Sequence, residues 1–322
     1  MIDETPNAAY FAQYDALLGR WPVDVESFDL RGRYGTTHVN ACGPAHAPAI
    51  VLMHGGRATS TVWYGIVGAL ARSNRVYAID TIGDSGRSVD DGEPLVGPAS
   101  LMCWLDETLD GLGVGTATFV GHSLGAWTSM QYALYAPDRV GRLALLDPTD
   151  CLSPTPLQYK LRAIPLFVGH APDRWRRFFR WETQGHPIDE QFLDLWSSSV
   201  RPTWQPSVKL TLPKRPPAAA IAGFRTPTLV IVAGRSRQNN PKRLEQLAHT
   251  LPDVRVAILP AATHFTLPQE YPIEVATAIM ELLGNDHQQS DDRQSKAKPD
   301  ATGEAPGLDG LYRTSNRPTD GT

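Results

Sequence analysis

The 322-residue chain lacks an apolar run approaching the roughly 18 residues of a membrane-spanning helix. Its first residues, Met1-Ile2-Asp3-Glu4, are acidic where a secretory signal would be basic and then apolar. It is poor in cysteine: Cys42, Cys103 and Cys151 are scattered, odd in number and without metal-ligand spacing, which suits a reducing compartment rather than a disulfide framework. It also lacks a strong charge of either sign. A net charge of -4 leaves no electrostatic footprint for nucleic acid or an anionic membrane surface. These absences lead to the expectation of a cytoplasmic protein without metal or cofactor, whose partner is a small molecule; monomer and homodimer both remain open.

What is present is an alternation. Short β-prone apolar runs at Ala49 to Met53, Arg75 to Ile79, Thr116 to Val120, Arg142 to Leu146, Thr228 to Ala233 and Val254 to Leu259 are separated by helical stretches. Such alternation predicts βαβ units and a mostly parallel, doubly wound α/β sheet of about eight strands. Residues 1–26 read as an N-terminal leader, with a short helix from Ala8 to Gly19 packed on the core. Residues 27–150 form the first part of the core, opening with paired strands at Ser27 to Arg31 and Tyr34 to Ala41. Over residues 151–222 the alternation stops and Pro, Arg and Trp accumulate, which predicts an inserted helical cap with helices at Arg174 to Arg180 and Asp189 to Ser198. Residues 223–284 complete the core, ending in a helix from Tyr271 to Leu283. Residues 285–322 are polar and aperiodic, the composition of a disordered tail.

The chemistry centres on Gly121-His122-Ser123-Leu124-Gly125, a G-x-S-x-G run between a predicted strand and a predicted helix. A serine at such a turn occupies a sparsely populated backbone region, and side chains at Gly121 and Gly125 would collide there. The geometry exposes the Ser123 hydroxyl as a nucleophile. A serine hydroxyl needs a base. His264 follows the last strand, and in a parallel sheet every strand delivers its following loop to the same edge, so His264 reaches the edge that carries Ser123. An oxyanion hole needs two N–H donors. Leu124, directly after the nucleophile, supplies one; Gly56, in the glycine turn after Met53, is expected to supply the other, with Arg57 as the alternative.

Taken together, the His54-Gly55 turn, the Asp80 to Ser88 loop, the serine elbow and His264 stand in the order of the α/β-hydrolase fold family, which the chain resembles from about Ser27 to Leu283. The stretch Asp80-Thr81-Ile82-Gly83-Asp84 with Gly86-Arg87-Ser88 is similar to a bacterial carboxylesterase-like subgroup with a cap domain. The resemblance implies Ser123 as nucleophile, His264 as base, and structural roles for Asp80 and Asp84. Most members carry the orienting acid in the loop after the strand corresponding to Thr228–Ala233. Here that loop reads Gly234-Arg235-Ser236-Arg237-Gln238-Asn239-Asn240, without a carboxylate and with Arg237 at the usual place. Some members draw the acid from the preceding strand instead, which in this chain points to Asp147, with Asp150 as the alternative acid. Arg235 and Arg237 could then hold a carboxylate of the substrate or of the cap.

Four of the eight tryptophans, Trp175, Trp181, Trp196 and Trp204, fall in the expected cap. Arg57, His122, Trp127, Trp175 and Trp181 are the candidate pocket residues. The resulting expectation is a serine hydrolase acting on an ester or thioester of a small, moderately apolar molecule. Two other readings stay open: an acyltransferase, lactone-forming enzyme or C–C bond hydrolase on the same fold, and a non-catalytic ligand-binding homologue.

Overall fold

The sheet of this computed structural model has eight strands in the order β1-β2-β4-β3-β5-β6-β7-β8. The structure describes residues 5–167, 172–198 and 213–296. The strands are β1 (Glu26–Gly32), β2 (Gly35–Cys42), β3 (Ala49–Met53), β4 (Arg75–Ile79), β5 (Ala117–His122), β6 (Val140–Leu146), β7 (Thr228–Ala233) and β8 (Val254–Leu259). Among these strands the β1–β2 and β2–β4 pairings are antiparallel and the others parallel. The expected hairpin across Gly32 is present, with Phe28 opposite Val39. Interior strands read as unbroken apolar runs because both faces are covered; β7, Thr-Leu-Val-Ile-Val-Ala, is buried at every position. The edge strands β1 and β8 are partly exposed.

The helices are α1 (Thr5–Leu18), α2 (Val67–Leu70), α3 (Gly97–Gly111), α4 (Leu124–Tyr135), α5 (Leu157–Ala163), α6 (Pro172–Glu182), α7 (Glu190–Ser198), α8 (Ala218–Gly223), α9 (Pro241–Ala248), α10 (Leu267–Glu270) and α11 (Pro272–Lys296). Two apolar clusters cover the two faces of the sheet, as the alternation along a strand requires. Val120 belongs to the one that contains Trp63 and Phe179, and its neighbour Phe119 to the one that contains Trp104 and Trp127. Between β6 and β7 the described residues form helices and no strand. They pack into the first cluster through Trp175, Phe178, Phe179, Phe192 and Trp196. Residues 1–283 form one compact unit, so this insertion has no separate core; residues 284–322 form a second unit.

Two differences from the sequence reading have local causes. The stretch between β3 and β4, where the alternation calls for a helix, is a 3-10 turn, Ser60–Gly65, followed by one turn of α2. Thr59 makes no capping bond; the Asp80 carboxylate accepts the Ser60 N–H at 2.7 Å instead. The last helix runs through Lys296, beyond the expected end at Leu283, and no proline, aromatic or β-branched residue interrupts residues 284–296. The remainder of the expected tail, residues 297–322, lies outside the described residues, as does Trp204.

The leader helix α1 is a clasp. Tyr14 is fully buried, and its hydroxyl donates to Asp80 Oδ2 at 2.9 Å and receives the Asn40 amide at 2.7 Å. Asp80 also accepts the Arg87 N–H at 2.7 Å. A buried carboxylate with three donors is satisfied, and here it ties α1, the Ser60 turn and the loop after β4 together.

Candidate active site

Ser123 sits between β5 and α4 with φ 57° and ψ -116°, a region that costs a non-glycine residue about 1–3 kcal/mol. Its neighbours leave no room for side chains. A Cβ on Gly121 would stand 2.4 Å from the Gly125 carbonyl oxygen, and one on Gly125 would stand 2.0 Å from that of Met53. The turn is held by the Ser123 N–H, which donates to the Leu146 carbonyl at 3.1 Å.

The Ser123 hydroxyl lies 2.8 Å from His264 Nε2, and His264 Nδ1 lies 2.6 Å from Asp147 Oδ2. With Asp147 ionised, Nδ1–H donates to the carboxylate, which leaves Nε2 as an acceptor for the Ser123 proton. Asp147 and His264 are buried, at 0% and 1% side-chain exposure, so their hydrogen bond forms with little competition from solvent. Asp147 itself has φ 39°, directly after β6. Asp150 is turned elsewhere: it accepts the N–H and hydroxyl of Thr155, at 2.8 and 3.1 Å, and lies 3.9 Å from Lys160. The alternative acid is therefore a turn-former.

Two residues of this set left no mark in the sequence pattern. Ser236, in the loop after β7 that lacks a carboxylate, donates its hydroxyl to Asp147 Oδ2 at 2.7 Å. Thr149 places its hydroxyl 3.0 Å from that of Ser123. Its N–H also donates to the Ser123 carbonyl at 3.2 Å, so the loop after β6 braces the elbow.

The glycine turn after β3 packs against the elbow. A Cβ on Gly55 would stand 3.3 Å from Ser123 Cβ, and one on Gly56 would stand 3.3 Å from Leu124 Cδ2. His54 fixes this turn: Nδ1 donates to the Gly55 carbonyl at 2.8 Å, and Nε2 accepts the Thr81 N–H at 3.0 Å. Asp84 takes the Arg57 N–H on both carboxylate oxygens at 3.0 Å. That spends the Arg57 N–H, the alternative donor, within the fold. The Arg57 guanidinium lies 4.5 Å over Trp175 and 5.5 Å over Trp196, and burial holds its pKa below the ordinary arginine value.

His122 stands beside the base rather than apart from it. Its ring is 4.8 Å from that of His264, and its Nε2–H donates to the His264 carbonyl at 2.9 Å. Burial, helped by the nearby His264, holds its pKa well below the ordinary histidine value, so it is a neutral donor.

A cavity of about 20 Å3 adjoins Ser123, lined by the Gly55 turn, His122, Phe192, Trp196, Phe265 and Gln269. Among the five pocket candidates, His122 lines it. Trp175 forms a second layer, 4.3 Å from Trp196. Trp127 is a correction: it is buried in the cluster on the opposite sheet face, and its indole N–H donates to the Lys214 carbonyl at 2.9 Å. Trp181 is another: it stacks 5.9 Å from Tyr159 beneath Arg162 and Arg237, outside the cavity. Phe192, Trp196, Phe265 and Gln269 take their place. A larger surface groove of about 520 Å3, between Gly65 and Met280, is lined by neither Ser123 nor His264. Among the described residues no helix is long and apolar enough to cross a membrane, and no His/Cys/Asp/Glu group is arranged to hold a metal ion.

Comparison with known proteins agrees with this geometry. The chain is 28% identical to the uncharacterized carboxylesterase nap of Bacillus subtilis (strain 168), over 85% of this chain and 92% of that one. It is 36% identical to carboxylesterase YbfK of the same organism over a shorter stretch, 48% of this chain and 52% of that protein's length. The crystal structure of naproxen esterase (carboxylesterase NP) from Bacillus subtilis superposes with a TM-score of 0.78 at 28% identity, covering 88% of this chain and 99% of that one. The sequence profile of the alpha/beta hydrolase family matches residues 50–278. This chain belongs to the alpha/beta hydrolase family, among its bacterial carboxylesterase-like members.

Proposed function

We propose that this protein is a serine hydrolase that cleaves the carboxylic ester or thioester of a small, moderately apolar molecule through an acyl-enzyme. The observation that carries the reading is the continuous line from Ser123 through His264 to Asp147, with contacts of 2.8 and 2.6 Å. Its carboxylesterase relatives support the ester as the bond attacked.

His264 Nε2 takes the hydroxyl proton as Ser123 Oγ attacks the substrate carbonyl carbon. Asp147 holds the ring in the required tautomer and stabilises the imidazolium. The Gly56 and Leu124 N–H groups hold the developing oxyanion, each such donor being worth about 3 kcal/mol in the transition state. His264 returns the proton to the departing alcohol or thiol. Water, deprotonated by the same nitrogen, then releases the acid and frees Ser123. The inserted helices act as a cap whose aromatic side chains, Phe192 and Trp196, together with Phe265 from the loop after β8, favour an apolar acyl or alcohol group.

The test is labelling of Ser123 by a fluorophosphonate, combined with hydrolysis of p-nitrophenyl esters of graded chain length. Wild type is expected to label and turn over, and Ser123→Ala to do neither. A Ser123→Ala variant with full esterase activity would refute the proposal. The same acyl-enzyme could pass its acyl group to an alcohol or amine; product analysis with such an acceptor present distinguishes transfer from hydrolysis.

A further inference from the structure

A buried carboxylate stands beside His264 that the reaction just described does not use. Glu182 ends α6, in the insertion, and is 0% exposed. Its Oε1 accepts the His264 N–H at 3.2 Å and the Arg237 N–H at 3.4 Å, and its Oε2 accepts the Phe265 N–H at 3.4 Å. One carboxylate thus gathers three main-chain donors from the loops after β7 and β8. The residues next to it reinforce the same junction. Gln184 donates to the Arg235 carbonyl at 2.7 Å, and the Arg235 guanidinium donates to the Gln184 side chain at 3.0 Å and to the His186 ring.

The charges around Glu182 give this contact an electrostatic side. Asp147 faces it from the loop after β6, His264 from the loop after β8, and Tyr159 from α5. The Arg237 guanidinium lies over Trp181, 4.7 Å from the ring centroid. Burial, and to a lesser degree Asp147, pushes the Glu182 carboxyl above the ordinary range, while the charge on His264 and the loop N–H groups favour its ionised form. That interaction is reciprocal: whatever the imidazolium does for the carboxylate, the carboxylate does for the imidazolium.

Resting on the serine-hydrolase reading, we propose that Glu182 is a positioning residue delivered by the insertion. Through main-chain N–H groups it fixes the loop that carries His264, and it supplies a second negative charge that favours the imidazolium formed as Ser123 attacks. Glu182 exchanges no proton in the cycle. The Ser123 proton moves to His264 Nε2 and on to the leaving group, and Glu182 stays a carboxylate throughout. The base is then fully assembled only with α6 seated on the two loops.

The test compares wild type with Glu182→Gln, which keeps the shape and one acceptor oxygen but no charge. The readouts are kcat and KM for p-nitrophenyl butyrate from about pH 5 to 9, the rate of Ser123 labelling by a fluorophosphonate, and a thermal melt. Removing the charge makes the imidazolium less favourable. The acid limb of kcat/KM is therefore expected to move to lower pH by about one unit, and kcat to fall about tenfold, with KM little changed. Glu182→Asp, shorter but still charged, is expected to keep the acid limb at the wild-type pH with a smaller loss in kcat, and it carries the test should Glu182→Gln melt below assay temperature. An acid limb unmoved in Glu182→Gln, or displaced in Glu182→Asp, overturns the proposal while leaving labelled, active wild type intact. A wild type that neither labels nor hydrolyses overturns the serine-hydrolase reading along with it.

Discussion

Ser236 donates its hydroxyl to Asp147 Oδ2 at 2.7 Å, so the loop after β7 grips the acid that β6 provides. The oxygen it contacts is the one that meets His264. Ser236→Ala removes one donor from a buried carboxylate and loosens the acid's aim. Hydrogen bonds to charged groups are worth about 1.5–3 kcal/mol. Steady-state kinetics on this variant should show kcat down about tenfold with KM nearly unchanged; an unaltered kcat would mean that His264 alone fixes Asp147.

Asp147 and Asp150 are three residues apart and have different partners, so they should separate cleanly. Asp147→Asn is expected to lower kcat by about 10³–10⁴, because the amide no longer enforces the Nδ1–H tautomer. Asp150→Asn keeps an acceptor for Thr155, and its kcat should stay within about twofold of wild type. Equal losses in the two variants would remove Asp147 from its proposed role.

Gly125→Ala is predicted to leave little folded protein. Its Cβ would need the space of the Met53 carbonyl, 2.0 Å away, and that carbonyl belongs to the central strand β3. A backbone clash has no flexible side chain to yield, so the cost should exceed about 4 kcal/mol. Circular dichroism melts are the measurement, and a cooperative transition near the wild-type temperature would contradict the packing described.

His122 makes stability fall on the acid side. Its pKa is held well below the ordinary value of about 6.5, so between those two limits the unfolded chain binds a proton that the folded chain refuses. Stability from this group is complete above about pH 6.5 and is lost as pH falls through that window. His122→Asn keeps a donor for the His264 carbonyl without the titration, and its melting temperature should decline less than that of wild type between about pH 7 and 5. Parallel declines would show that other groups dominate acid unfolding.

Residues whose roles follow from local rules were legible in the sequence. Gly121 and Gly125 had to be glycine, Ser123 had to follow a strand, and a parallel sheet had to bring His264 to the same edge. The contact of Asp147 with His264 was legible through a gap: a loop of Arg, Ser, Gln and Asn where the family usually carries a carboxylate pointed to the end of the neighbouring strand. What stayed hidden depends on packing between distant segments. Glu182 reaches His264 across 82 residues, and nothing in the spacing of Trp181-Glu182-Thr183 separates it from the many charged neighbours on its helix. Trp127 misled for a related reason. Closeness to the elbow in sequence does not decide which core a helical side chain enters: Trp127 packs in the cluster with Trp104 and Phe119, and its indole N–H is taken by the Lys214 carbonyl.

The space of about 20 Å3 beside Ser123 holds about one water molecule and no ester. Apparent affinity is then the product of two quantities, how well an ester fits and how often Phe192, Trp196 and Phe265 stand apart. The second factor depends on size, because a long ester needs a wider opening than a short one. Loosening the aromatic stack behind the cavity, where Phe179 meets Phe265 at 4.2 Å, would improve KM more for long esters than for short ones. Reshaping the wall itself would change their ranking.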